Sequence, residues 1–463
     1  MQKDVDILFI IPPYHKRNGS GSIFPLGIGA IMACLEQNNL SYDYINCTTI
    51  IDTLVPSELQ RLDKELRNSL RHYNPILVGI GPCVSPGIKG IEIVARCCLD
   101  MFGSERVFAG GPLTMLPSQE WLFYKWLGLS YLIKGDGEEA VCEALEAVKS
   151  GQSLKKCGVV SFPEHSKINI IHDLDKLPFP KRPEIENYCF SERRRSFQDK
   201  AKTAHIVSSR GCPYHCSYCV SGNLKIPFRK RSAESIVEEM NMLSTQYNVT
   251  DIVFYDDCFF TGVKTIHDEI DEFCTALERT ELHLTWQFEI RPDILIEIKD
   301  DELLRICSLG CRQMNIGIEK THENGASLFG KPYNYKALKN YLAHAHSIVP
   351  IRMTGTFILG GKGETVASVK ETIKDSTDMN LDAAEYSPLF VYPDTPIYKD
   401  VFSSPESWLE VVSASEDPWG EVVYENDVLD KNTLIALVDE AYKCFYPELT
   451  ETDRVRDRYH LKG

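Results

Sequence analysis

Two series of short apolar runs, each run followed by a longer amphipathic stretch, fill most of the chain and restrict what it can fold into. The first series is Ile7–Ile11, Tyr42–Ile45, Ile76–Ile80, Arg106–Ala109 and Tyr131–Ile133. The second is Ile206–Ser209, Ile252–Asp256, Thr285–Ile290, Met314–Glu319, Met353–Leu359 and Glu385–Tyr392. A parallel strand cannot return by a tight hairpin, so alternation of this kind is how a parallel sheet with crossover helices is written. Five units and then six predict an α/β chain with a Rossmann-like doubly wound domain over residues 1–160 and a partial (β/α)6 TIM-like barrel over 203–400. Between them the pattern breaks, with prolines at 178, 180 and 183, which predicts a linker over 161–202. A small helical extension over 401–463 is expected to end the fold, with one amphipathic helix at Thr433–Phe445. Ser232 is the expected N-cap of a helix that buries Ile236, Val237, Met240 and Leu243.

Doubly wound sheets bind ligands beyond the carboxyl ends of their strands. That edge collects four loops: Pro25-Leu26-Gly27-Ile28-Gly29, Gly81 to Gly87, Gly110-Gly111-Pro112 and Gly135-Asp136-Gly137-Glu138. Pro25, Gly27, Ser85, Gly110, Gly111 and Gly135 are therefore the candidate ligand-facing positions of the front domain.

Composition removes several classes. Hydrophobic residues at 43% and charged residues at 25% are ordinary for a globular chain, and no apolar run is long enough to cross a bilayer. Met1 to Asp6 has no export signal, so a cytoplasmic protein without membrane partners is expected, with its sixteen cysteines as thiols. A net charge of −16 repels polyanions, and nucleic acid is not an expected partner. The basic stretches Arg193-Arg194-Arg195 and Arg229-Lys230-Arg231 read as local features, the first as a solvated surface. The oligomeric state is left open.

The chemistry lies in Ser209-Arg210-Gly211-Cys212-Pro213-Tyr214-His215-Cys216-Ser217-Tyr218-Cys219, directly after a strand. Three thiolates spaced C-x-x-x-C-x-x-C can ligate three irons of a cubane and leave the fourth open. An open iron can chelate the amino and carboxylate groups of a methionine, and one electron then cleaves its sulfonium. A zinc knuckle needs a fourth ligand, and His215, inside the loop, is poorly placed to close a tetrahedron.

This loop, with Tyr218 before the last cysteine, resembles the signature of the radical S-adenosylmethionine (SAM) superfamily. The resemblance implies a [4Fe-4S] cluster on Cys212, Cys216 and Cys219, SAM as cofactor, and an electron donor such as flavodoxin or ferredoxin. Asp256 or Asp257 matches the position that grips the methionine ammonium, unless either caps the next helix. Strand alternation sends Glu289 and Arg291 to one face, where the Arg291 fork suits the SAM carboxylate; a salt bridge among neighbours is the alternative. Gly317-Ile318-Glu319 resembles the strand end whose acid lies near ribose or substrate. The segment from Phe357 through Gly360 to Thr365 resembles the motif that passes adenine, with Lys362 where many relatives carry proline. Cys258, beside the two aspartates, is a candidate hydrogen-atom donor to a radical.

A doubly wound domain, a linker through Leu177-Pro178-Phe179-Pro180 and then the cysteine loop is similar to the cobalamin-binding-domain subfamily of radical SAM enzymes. That implies cobalamin and C-methylation at an unactivated carbon of a small-molecule substrate. No Asp-x-His-x-x-Gly occurs, so a histidine lower ligand is not expected. The rivals are a vestigial front domain serving a cobalamin-independent rearrangement, cyclisation, dehydration or deoxygenation, a tRNA methylthiotransferase, and a non-enzymatic iron-sulfur module. The methylthiotransferase reading wants a second cysteine trio in the front domain and a basic tail, and neither is here.

Overall fold

The computed structural model describes residues 2–14, 24–183, 185, 202–224, 226–414 and 423–448. Arg193–Arg195 and much of the expected linker lie outside them. The strands are β1 Lys3–Ile11, β2 Tyr42–Asn46, β3 Tyr73–Ile80, β4 Val107–Gly110, β5 Tyr131–Gly135, β6 Ile168–Asn169, β7 Thr203–Ile206, β8 Ser209–Arg210, β9 Arg229–Lys230, β10 Asp251–Phe254, β11 Thr285–Ile290, β12 Cys311–Glu319, β13 Arg352–Leu359 and β14 Ala383–Pro388. The helices are α1 Leu26–Gln37, α2 Pro56–Leu70, α3 Ile88–Phe102, α4 Glu138–Lys149, α5 Ala233–Tyr247, α6 Ile266–Glu278, α7 Pro292–Leu295, α8 Asp300–Ser308, α9 Glu323–Leu328, α10 Tyr335–Ile348, α11 Val366–Thr377, α12 Tyr398–Val401, α13 Pro405–Ala414 and α14 Lys431–Phe445.

The front sheet runs β2-β1-β3-β4-β5-β6, all parallel, as a doubly wound domain requires. Its strand β1, paired on both sides with β2 and β3, is apolar on both faces because both are covered: Ile7, Phe9 and Ile11 lie in one core with α1 and α4, and Leu8 and Ile10 in the other with α2 and α3. The strand starts at Lys3, four residues ahead of the apolar run: Lys3–Val5 pair with Tyr73–Pro75, and Asn74 Nδ2 donates to Asp4 Oδ1 at 2.8 Å.

The second sheet is β14-β13-β12-β11-β10-β7, again all parallel, which makes the six-stranded partial barrel. Alternate residues such as Trp286, Phe288, Met314, Ile316, Met353 and Phe357 are buried in the layer beneath the surrounding helices. The residues between them, Gln287, Glu289, Gln313, Asn315, Thr354 and Thr356, turn to the other, concave side and make it polar. Gln313 Nε2 donates to Asn315 Oδ1 at 2.6 Å and Asn315 Nδ2 to Gln287 Oε1 at 3.4 Å, so this polar layer is tied across two strands.

Several strand ends in the barrel differ from expectation. β7 ends at Ile206, and Ser209–Arg210 pair antiparallel with Arg229–Lys230 instead of extending it. β10 stops at Phe254, because Asp256 turns inward to accept backbone N–H groups. β14 stops at Pro388. Ser232 does cap α5, its side chain accepting from Ser235 N. Helix α14 closes the open edge of the barrel: Tyr446 Oη accepts from Ala384 N at 2.9 Å and donates to Ala384 O at 3.1 Å, and Tyr442 Oη accepts from Tyr386 N at 3.2 Å. No helix of the described residues is long and apolar enough to cross a membrane.

Candidate active site

The cysteine loop leaves β8 at Gly211, whose φ of +78° is a left-handed conformation that glycine adopts without strain. Its shape is fixed by backbone and amide contacts. Asn223 Nδ2 donates to Cys216 O at 3.0 Å and to Cys219 O at 2.6 Å, and Cys219 N reaches Cys216 O at 3.1 Å. A Cβ on Gly222 would stand 1.8 Å from Tyr214 O, so no other residue fits that crossing. From outside, the segment after β12 braces the loop: Ser217 N donates to Phe329 O at 3.0 Å and Ser217 Oγ to Leu328 O at 3.0 Å. His215 Nδ1 lies 2.6 Å from Gly222 O, so that nitrogen helps hold the loop in shape.

Cys212, Cys216 and Cys219 are free thiols, Cys216 buried and the other two half-buried. Burial pushes the Cys212 thiol up to about 11, and the Cys219 thiol upward as well. Against this, each sulfur has an N–H donor: Tyr214 N–H faces Cys212, Ser221 and Gly222 N–H face Cys219, and Arg291 Nη1 lies 3.6 Å from Cys216 Sγ. Three thiols in one loop, each opposite an N–H, are a donor set suited to the thiolate ligands of an iron-sulfur cluster.

Arg291 is not free to grip a carboxylate with its fork. Nε and Nη2 hold the Asp293 carboxylate at 3.0 and 3.2 Å, and the guanidinium lies 3.7 Å from the Tyr214 ring centroid. The expected pairing of faces also fails, since Glu289 is exposed within β11 while Arg291 lies just beyond it and is buried. Of the two aspartates, Asp256 is buried and its Oδ1 accepts Ser208 N at 2.8 Å, Ser209 N at 2.6 Å and Ser209 Oγ at 2.7 Å. Burial outweighs these bonds and pushes its carboxyl up to about 6. Asp256 therefore shapes the approach to the loop. Asp257 is exposed and accepts Ser221 Oγ at 2.8 Å. Neither caps α6, whose N-cap is Thr265.

Glu319 ends β12 with φ of +62°, unusual for a side chain of its size. That turn sends its carboxylate to the cysteine loop, where Oε1 accepts from Tyr218 Oη at 3.1 Å and from Lys331 Nζ at 3.0 Å. Tyr218 also packs on Phe329, ring centroids 4.9 Å apart. Lys331 is absent from the sequence expectation, as is its neighbour in this network, Lys320. Lys320 is 1% exposed; its Nζ donates to Gly360 O at 2.8 Å and pairs with Glu364, and burial lowers its pKa. At Gly360 a Cβ would stand 2.6 Å from Leu434, so the absence of a side chain lets α14 pack against this turn. Cys258 is likewise spent locally, its Sγ donating to Phe260 O at 2.9 Å and its thiol pushed up to about 12 by burial.

Among the front loops, Gly110 and Gly111 serve an interlock: Cys83 N donates to Gly110 O at 2.9 Å, Leu113 N to Cys83 O at 3.0 Å, and a Cβ on Gly111 would lie 2.5 Å from Cys83 N. Gly135 is pressed against Asn169, whose oxygen would stand 2.2 Å from a Cβ. Gly27 is exposed with nothing within 4 Å of a Cβ, Pro25 precedes it at the head of α1, and Ser85 is half-buried in the turn Ser85–Gly87. These three still border open space or a half-open turn at the sheet edge.

The loop after β5 meets the base of the cysteine loop. Arg210 Nη1 donates to Asp136 Oδ1 at 2.8 Å and to Glu138 Oε2 at 3.2 Å. Arg229 pairs with the other Asp136 oxygen and donates to Ile171 O at 2.7 Å, while Ile171 N donates back to Asp136 Oδ2 at 2.7 Å. Burial works to raise the Asp136 carboxyl, but Arg210, Ile171 N–H and Arg229 together hold it below the usual range.

Residues 206–376 match the family model of the Radical SAM superfamily. An uncharacterized methyltransferase of Pyrococcus horikoshii is 24% identical over 86% of this chain and 83% of its own length. The anaerobic magnesium-protoporphyrin IX monomethyl ester cyclase of Rubrivivax gelatinosus is 23% identical over 95% of this chain and 77% of its own. Among solved structures, the radical SAM methyltransferase TsrM from Kitasatospora setae, with cobalamin and a [4Fe-4S] cluster bound, superposes with a TM-score of 0.69 at 15% identity, covering 98% of this chain and 90% of that one. The cobalamin-dependent SAM radical enzyme OxsB, with aqua-cobalamin bound, gives 0.68 at 15% identity over 96% and 67%. At these identities the two structures share the fold of this chain, front domain and barrel together.

Proposed function

We propose that this chain, whose residues 206–376 match the Radical SAM superfamily, is a radical SAM enzyme and a cobalamin-dependent C-methyltransferase acting on a small molecule. The observation that carries the reading is the cysteine loop: three thiols, each faced by an N–H donor, at the mouth of a polar half-barrel and stitched to the ligand edge of a doubly wound sheet. A [4Fe-4S] cluster would supply one-electron cleavage of SAM, and cobalamin a transferable methyl group. Cys212, Cys216 and Cys219 would hold the cluster.

The residues around them have separable tasks. Asn223 and His215 hold the loop in shape. Glu319, one oxygen engaged by Tyr218 and Lys331, offers the other as an acceptor for hydroxyl groups of SAM or substrate. Asp257 stands beside the loop as an acceptor for an ammonium. The polar concave face with Gln287, Asn315, Thr354 and Thr356 supports a substrate rich in hydrogen-bonding groups. For cobalamin, the open backbone at Gly27 and the half-open turn at Ser85 fit a flat ligand held through amides and apolar contact, without a histidine base. An external reductant such as flavodoxin or ferredoxin would feed the cluster.

The magnesium-protoporphyrin ester cyclase relative, aligned over 95% of the chain, favours a second reading in which the radical step closes a ring and no methyl group moves. Anaerobic reconstitution with iron, sulfide and hydroxocobalamin, followed by desalting and incubation with SAM and dithionite, tests both. The methylase reading expects corrin absorbance that survives desalting, together with 5′-deoxyadenosine. Retained 5′-deoxyadenosine formation without corrin selects the second reading, and no 5′-deoxyadenosine from a fully loaded protein overturns both.

A further inference from the structure

Among the described residues, one of the three cysteine sulfurs faces a charged donor. Cys212 and Cys219 face backbone N–H groups, whereas Cys216, the buried one, faces the guanidinium of Arg291 at 3.6 Å. That cation cannot swing away. The Tyr214 ring lies over it, centroid 3.7 Å away, and is itself tethered through Oη to Thr261 O at 3.1 Å, while Asp293 accepts two bonds from its Nε and Nη2. Arg291 is 8% exposed, so solvent screens its field weakly.

We propose that Arg291 sets the reduction potential of the cluster through Cys216, with Asp293 limiting the effect; this rests on the reading that the three cysteines hold a [4Fe-4S] cluster. On reduction a cluster takes up one electron and becomes more negative. A fixed cation donating to one thiolate ligand stabilises that reduced form and moves the potential upward, since hydrogen bonds and net charge around the sulfurs are among the protein's controls on it. An anion paired to the cation does the reverse. Arg291 is thus a tuning residue that acts through a ligand, and it makes the three thiolates inequivalent.

The test is a redox titration of anaerobically reconstituted wild-type protein, R291Q, R291K and D293N, with iron and sulfide quantified and the reduced-cluster EPR signal followed against potential. R291Q is expected to disfavour reduction at least tenfold, about 59 mV for one electron, R291K to fall between it and wild type, and D293N to shift in the opposite direction. General loosening of the loop does not give opposite signs at two adjacent side chains. Coincident midpoints in four fully loaded proteins, or shifts of the same sign in R291Q and D293N, overturn the proposal alone. A wild-type protein that takes up no four-iron cluster overturns the parent reading and this one with it.

Discussion

Lys331 and Glu319 form an ion pair in which both side chains are 9% exposed, with Tyr218 as a third partner. A buried carboxylate that loses its cation has no water to replace it, and removal of one member of such a pair costs about 3 kcal/mol or more. K331M should therefore lower Tm clearly, and the double variant K331M/E319Q should recover most of the loss, both read by scanning calorimetry. Equal Tm values for K331M and wild type would show that the pair carries no stability. Lys331 was not legible beforehand because a lysine between Gly330 and Pro332 reads as a solvated turn. The three cysteines were legible, because their spacing is itself the chemical requirement. Arg291 was legible as a buried cation but not in its role: the bidentate partner is Asp293, two residues on, and no pattern distinguishes that from a fork left open for a ligand.

At the scale of elements, α10 is tied to the far strands of the barrel through His346. Its Nδ1 lies 2.8 Å from Leu342 O and its Nε2 2.9 Å from Asp382 Oδ2, and that same oxygen accepts Met353 N at 2.7 Å. Burial alone would lower the imidazole pKa, but the Asp382 carboxylate and the Leu342 carbonyl offset it and the net shift is upward. A raised folded pKa means the contribution is complete below the unfolded value of about 6.5 and fades as pH rises through the folded one. H346Q should thus lower Tm most near pH 6 and least near pH 8.5; a difference that grows with pH would contradict this. Strands such as β11 were readable to the residue because apolar and polar positions alternate cleanly, whereas the two-residue pair β8 and β9 carries no period to read.

At the scale of the whole molecule, the front domain and barrel meet through Asp136 and Glu138 against Arg210 and Arg229. The sequence offered the loop Gly135-Asp136-Gly137-Glu138 as a ligand edge, and an acidic turn at that edge looks the same whether it awaits a ligand or an arginine. Replacing Asp136 and Glu138 with Asn and Gln should speed tryptic cleavage between the two sheets, seen by limited proteolysis as two stable fragments. Unchanged digestion would mean that these ion pairs do not hold the two halves together. The amide and carbonyl of Ile171 take part on both sides of this junction, the first held by Asp136 and the second by Arg229.

That threading makes the catalytic half dependent on its neighbour for charge balance. A barrel cut free of the preceding segment would expose two arginines, one before and one after the cysteine loop, with no acids from the front domain to meet them. Exchange of the front domain for a foreign one, by recombination or by design, succeeds only if the incoming module brings its own acidic turn to the same spot.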